Sequence, residues 1–216
     1  MKLNRKFIAI LSIAIASVLT ISTILYFTDA SDRSGGKHRM NDSLNGQALI
    51  QVGATYITRT HLTAYKDNLT KSDTPLPDDS AILREMAAKE LMLQLADEEG
   101  VAASLEDGAQ RARQLRETLE RQPRQVQEQH LRMLDAMGIS EDQYWEDYSP
   151  PEYRDMLSIE RFMNKRTTEM KTNQPDVITS TKQLKEDLLK KAVDEQRIVL
   201  LDPDIMEITP HWYIME

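Results

Sequence analysis

Histidine is the side chain most suited to moving protons near neutral pH or to holding a metal, and the chain has four, His38, His61, His130 and His211. Their spacing supports neither use. They stand far apart, none belongs to an HExxH pair, and none forms a close cluster with carboxylates at ligand spacing. His130 falls on an apolar stripe, which reads as a packed or boundary histidine. The chain has no cysteine, which removes disulfides, thiolate metal ligands, a Cys nucleophile and a lipid-modified N-terminal cysteine together. GxSxG, Walker and GxGxxG loops are absent. Acidic runs at Asp97, Glu98, Glu99 and at Glu141, Asp142 fit helix ends and solvated faces, and nothing selects a carboxylate pair for acid–base work. No catalytic residue, cofactor or metal site is expected.

Binding chemistry is better represented. Tyr144, Trp145, Tyr148 and Tyr153 cluster around Pro150 and Pro151. Aromatic rings with polar tips suit a partly exposed recognition surface, and they suit equally well the clamping of two helices. Met86, Met92, Met133, Met137, Met156, Met163 and Met170 lie in the same helical region. Unbranched, polarizable methionine lines adaptable apolar surfaces and also fills gaps in cores. The set expected to contact a bound polypeptide is Tyr144, Trp145, Tyr148, Tyr153, Met133, Met137 and Met156.

The elements that must position these residues are helical. Asp79 or Ser80 can cap a helix running to Glu99, with Ile82, Met86, Lys89 and Leu93 on one line and Leu83, Ala87, Leu91 and Leu95 on the next. Its apolar stripe is wide, so it is expected to be central. Gly100 ends it, and Ser104 with Asp107 forms a capping box opening the next helix. Leu105, Ala109, Ala112, Leu115 and Leu119 continue to a break near Pro123, after which Val126, His130, Met133, Leu134 and Met137 resume the stripe until Gly138. Ser140 caps a short helix, EDQYWEDY, which Pro150 and Pro151 are expected to separate from a longer one starting at Glu152 and ending near Met170. A final helix from about Ser180 to Gln196 leads into IVLL, a candidate strand, and a tail punctuated by Pro203 and Pro210.

Residues 7–27, FIAILSIAIASVLTISTILYF, carry no charge and match the roughly 20 residues a helix needs to cross a bilayer. Lys2, Arg5 and Lys6 precede them and favour a cytoplasmic N-terminus, which places the remainder outside the cell. A cleaved signal peptide, with a site between Thr28 and Ala30 and a secreted product, is the alternative, but its apolar core is usually only about 7 to 15 residues. The expected division is a signal-anchor over 1–30, a polar tether over 31–47, a helical domain over 48–201 and a tail over 202–216. Residues 1–30 hold three Lys/Arg and one Asp, so the totals of 27 and 35 fall to 24 and 34 and the exported part carries −10. An acidic domain is a poor partner for nucleic acid or anionic headgroups.

Ahead of the helices, Ala48 to Val52 and Thr55 to Ile57 read as strands around Gly53 and Ala54, with Thr58 capping the helix that starts at Arg59. Two strands alone are marginal in water, so IVLL is expected to return and pair with them. The order VGATYIT, then AILREMAAKELMLQLADEEGVAAS, then a helical pair, then MGISEDQYWEDY resembles the N-terminal chaperone domain of the SurA and PrsA group of exported foldases. Val52, Gly53, Ile57 and Thr58, followed by Leu91, Leu95, Ala96, Glu99, Gly100 and Val101, carry the resemblance, and LKEDLLKKAVDEQRIVLL is similar to that family's returning helix and strand. The resemblance covers roughly residues 48–201.

There is one large departure from that family. Its full members carry an inserted parvulin-type prolyl isomerase domain, whereas only KTNQPDVITS separates Met170 from the last helix here. A stretch this short cannot bury a core of its own. The expectation is a mainly α chain with a membrane-anchor helix, a SurA-like helical lobe, a short β-hairpin and a returning helix and strand. It would act without an isomerase or cofactor as a membrane-anchored, extracytoplasmic holdase for unfolded or extended polypeptides. The alternatives are an envelope module that recruits one protein partner, and a foldase with residual isomerase activity.

Overall fold

The expected hairpin forms in the computed structural model, which describes residues 47–69, 76–173 and 180–208. Strands β1 (Ala48–Val52) and β2 (Thr55–Thr58) pair antiparallel with Val52 opposite Thr55. Gly53 takes a φ of 55° and Ala54 does not turn positive, the pattern of a two-residue turn that wants glycine first. Strand β3 (Ile198–Leu200) returns to the other edge of β1, with Ile50 opposite Leu200 and Val52 opposite Ile198, in the order β2-β1-β3. The chain's end is thereby closed onto its hairpin, as the hairpin's weakness required.

The helices follow as α1 (Arg59–Leu69), α2 (Asp79–Glu98), α3 (Leu105–Glu120), α4 (Arg124–Met137) and a three-residue turn α5 (Glu141–Gln143). A π-helical turn (Tyr144–Tyr148), α6 (Ser149–Asn173), α7 (Thr181–Asp194) and, after β3, α8 (Pro203–Ile208) complete them. The fold class is mainly helical with one small sheet. Local chemistry sets most boundaries. Thr58 Oγ1 accepts from the His61 amide at 3.3 Å while the Thr58 amide donates to His61 Nδ1 at 3.2 Å, so His61 completes a reciprocal cap. Ser104 and Asp107 form the expected capping box, and Ser140 pairs likewise with Gln143. The cap of α2 is Asp78, just before the expected Asp79 or Ser80; its carboxylate accepts from the Ala81 amide at 2.7 Å. Helix α7 ends by a left-handed Gln196, whose neighbour Arg197 donates to the Ala192 carbonyl at 2.7 Å.

One boundary differs from expectation. Pro150 and Pro151 do not separate two helices; they lie in the first turn of α6, which continues from the π turn without a break. Neither proline has an amide to donate, and each ring crowds the carbonyl four residues before it. The helix answers by widening. The Ser149 amide reaches back to the Tyr144 carbonyl, five residues away, which accommodates both rings without a break.

Two apolar cores result. The larger joins the sheet (Leu49, Ile50, Val52, Ile57) to α2 (Ile82, Leu83, Ala87, Leu91), to Phe162 and Met163 of α6, and to Leu184 and Leu189 of α7. Each such large side chain contributes roughly 1.5–3 kcal/mol on burial. The smaller core gathers Ala112, Leu119, Leu134, Tyr144, Trp145 and Tyr153 at the other end of α6. Helix α6 also buries polar groups interleaved with Tyr153 and Met156 of the smaller core. Glu152 and Asp155 are buried there, each 3.5 Å from Nζ of Lys89, and Arg154 pairs with Asp155 at 2.7 Å.

Packing continues beyond residue 201. Asp202 is 2 % exposed, accepts from Gln47 Nε2 at 2.7 Å and Arg59 Nη2 at 2.8 Å, and caps α8, whose Ile205 joins the larger core. The stretch expected to be only a tail thus supplies a clasp that joins the start of the hairpin, the start of α1 and the end of β3. The proposed anchor at 7–27 and most of the tether lie outside the described residues. Among the described residues no helix is long and apolar enough to cross a membrane.

Candidate functional site

Six of the seven residues singled out for binding, Met133, Tyr144, Trp145, Tyr148, Tyr153 and Met156, converge on the smaller core, built by α3, α4, the π turn and α6; Met137, half-buried at the end of α4, is not among the residues packed on it. The π turn carries two of that core's residues, Tyr144 and Trp145, both buried. Their rings meet edge to face with centroids 4.9 Å apart, and His130 of α4 packs against both, edge-on to Tyr144 at 5.1 Å and tilted over Trp145 at 5.5 Å. Tyr153 lies beneath, and burial pushes its hydroxyl up to about 12, partly offset by a hydrogen bond with Tyr144. Burial also lowers the pKa of His130, against a smaller opposing pull from Glu141.

The aromatic residues divide by exposure. Tyr144, Trp145 and Tyr153 are buried, so the expectation of a partly exposed aromatic surface is corrected for these three: in this conformation they clamp helices together. Tyr148, Met133 and Met156 are half-buried and form a rim. Leu131, half exposed on α4, extends the apolar character outward.

Two features that position the cluster are not evident from periodicity. Gly108 lets α3 lie directly on α6, since a Cβ there would sit 2.1 Å from the Pro150 carbonyl oxygen and 2.8 Å from the Arg154 amide nitrogen. Arg161 of α6 reaches Asp107 at the start of α3 at 3.2 Å, and with the Ser104 contacts it lowers that carboxyl to about 2. The glycine could have been noticed as an unpunctuated Gly inside a helical stripe. The Arg161 contact leaves no sequence signal.

A second concavity lies beside β2. Thr55, Tyr56, Ile57, His61, Met86, Lys89, Glu90 and Leu93 line a cavity of about 90 Å³ between the strand and α2. Polar partners already engage its rim: Thr55 donates to Glu90 at 2.7 Å, and Lys89 belongs to the buried ion cluster. Among the described residues no three His, Cys, Asp or Glu side chains come together to hold a metal ion. No protein-family model, curated protein or solved structure matches the chain.

Proposed function

We propose that this chain is a membrane-anchored, extracytoplasmic holdase that captures extended apolar segments of unfolded polypeptides at the rim and interior of the smaller core. The observation that carries the proposal is the division of that core into a buried aromatic floor and a half-buried rim of Tyr148, Met133 and Met156. Thioether and phenol side chains adapt to varied apolar groups at low specificity, as release of a client demands. Residues 7–27 would hold the domain at the outer membrane face, and its charge of −10 makes nucleic acid an unsuitable client. Capture of this kind requires no nucleotide or cofactor.

A recruitment module for one partner is the second reading, and the groove beside β2 favours it. Gln51 exchanges its backbone bonds with Val199 on β3, so Tyr56, opposite Gln51 in the alternate pair, directs its amide and carbonyl away from β1. A single extended peptide could pair there and place one apolar side chain over Met86 and Leu93.

Aggregation of an unfolded client, measured by light scattering, distinguishes the two. The full chain is expected to suppress it, and the pair Met133→Ser with Tyr148→Ser is expected to weaken suppression severalfold while circular dichroism stays unchanged, each lost apolar contact being worth about 1 kcal/mol. Undiminished suppression by the folded double variant would remove the rim from the site. A wild-type chain that suppresses nothing yet binds one partner at fixed stoichiometry would favour recruitment.

A further inference from the structure

We propose that α4 is a hinged lid over the Tyr144–Trp145 pair, and that protonation of His130 opens it and uncovers an apolar surface. Helix α4 is attached lightly: Leu134 is its one fully buried side chain, with Val126 and Met133 half-buried against the cluster. Both its ends suit a hinge. Pro123 precedes it with no side-chain cap bond, and Gly138 closes it in a left-handed conformation with φ of 70°. Lifting α4 would expose Leu119, Tyr144 and Trp145 while leaving the extensive α3–α6 contact in place.

The latch is His130. Its Nε2 is buried with no hydrogen-bond partner, and so is Nε1 of Trp145, which can only donate. Protonation makes both imidazole nitrogens donors and sets a charge in a pocket whose nearest rings are Tyr144 and Trp145. Aromatic faces attract a cation and offset part of that cost. Of the charged groups on the neighbouring elements, Glu141 at the start of α5 also favours the cation. Arg116 of α3 is engaged by Asp142 and Glu120, Arg111 of α3 acts on Tyr153, and Tyr153 of α6 is held neutral. Burial outweighs these attractions and keeps the closed-state imidazole neutral.

The direction of the pH dependence follows. His130 has a lowered pKa when the lid is closed and an ordinary one near 6.5 when solvated, so the open form binds more protons between those values. Closure is therefore fully favoured above about pH 6.5 and is lost as pH falls below it, the opening constant rising by at most about tenfold per pH unit. The proposal builds on the smaller core as the apolar binding place, but the opening itself is measured without any client.

The test uses the full chain carrying Trp212→Phe, which leaves Trp145 as the one indole. Trp145 emission and amide hydrogen exchange of residues 124–137, corrected for intrinsic exchange, are followed from pH 8 to pH 5. The expected result is a red shift with faster exchange in α4, approaching about tenfold per pH unit, while α2 keeps its protection. His130→Phe should abolish the dependence. Glu141→Gln, a surface change that leaves the cluster's packing intact, removes an attraction for the closed-state cation and should therefore make α4 open further at pH 5 than in the wild type. Flat exchange in α4, simultaneous loss of protection in α2 and α4, a Glu141→Gln profile identical to wild type, or a folded His130→Phe chain with the same pH profile would each overturn the proposal.

Discussion

Gly108 illustrates how a single residue can decide the geometry of the smaller core. At an exposed helical position, replacing glycine by alanine stabilises by roughly 0.5–1 kcal/mol. Here the added methyl would overlap the Pro150 carbonyl and the Arg154 amide, both of them backbone. Gly108→Ala is therefore expected to destabilise by about 1–3 kcal/mol, as overpacking does, and urea unfolding followed by circular dichroism will show the sign. The caps at Thr58, Ser104 and Ser140 were legible in the sequence because their chemistry is complete within a few residues. Gly108 was not, because what it accommodates belongs to another helix. The same holds for Asp202, whose partners Gln47 and Arg59 stand at the opposite end of the domain.

The three-stranded sheet could be inferred at the level of elements, from the argument that a lone hairpin needs a third partner. Ile198 and Leu200 face the larger core at 2 % and 3 % exposure, while Val199 between them is outward. Truncating either inward residue to alanine should cost about 2–5 kcal/mol and lower the melting temperature, whereas Val199→Ala should change it little. Equal, small effects at all three positions would contradict the pairing. The π turn was the element that sequence reasoning missed. A double proline after an aromatic run reads as a helix break, since the signal that it instead widens a turn lies in how Tyr144 and Trp145 pack on α3 and α4. The sequence grouped the aromatics, but not which of them would be buried, because that depends on how α3 and α4 pack over the turn.

For the whole molecule, α6 is the beam on which both cores are mounted, and its 25 residues span about 37 Å. The Lys89, Glu152 and Asp155 cluster ties α6 to α2. Two separate apolar cores are what the proposed opening of the smaller one requires, since local stability follows the number of buried contacts in each unit. Composition and hydropathy indicated an acidic domain behind an apolar N-terminal segment, but not that the residues proposed for binding would be split between a closed floor and an open rim. That split is the central claim. Its most direct measurement is site-specific photo-crosslinking in cells, with the reactive side chain placed in turn at Tyr148, at Met133 and, as a control on the sheet, at Val199. The proposed function predicts adducts of many sizes from Tyr148 and Met133 and few from Val199; a single discrete adduct, or adducts confined to Val199, would contradict it.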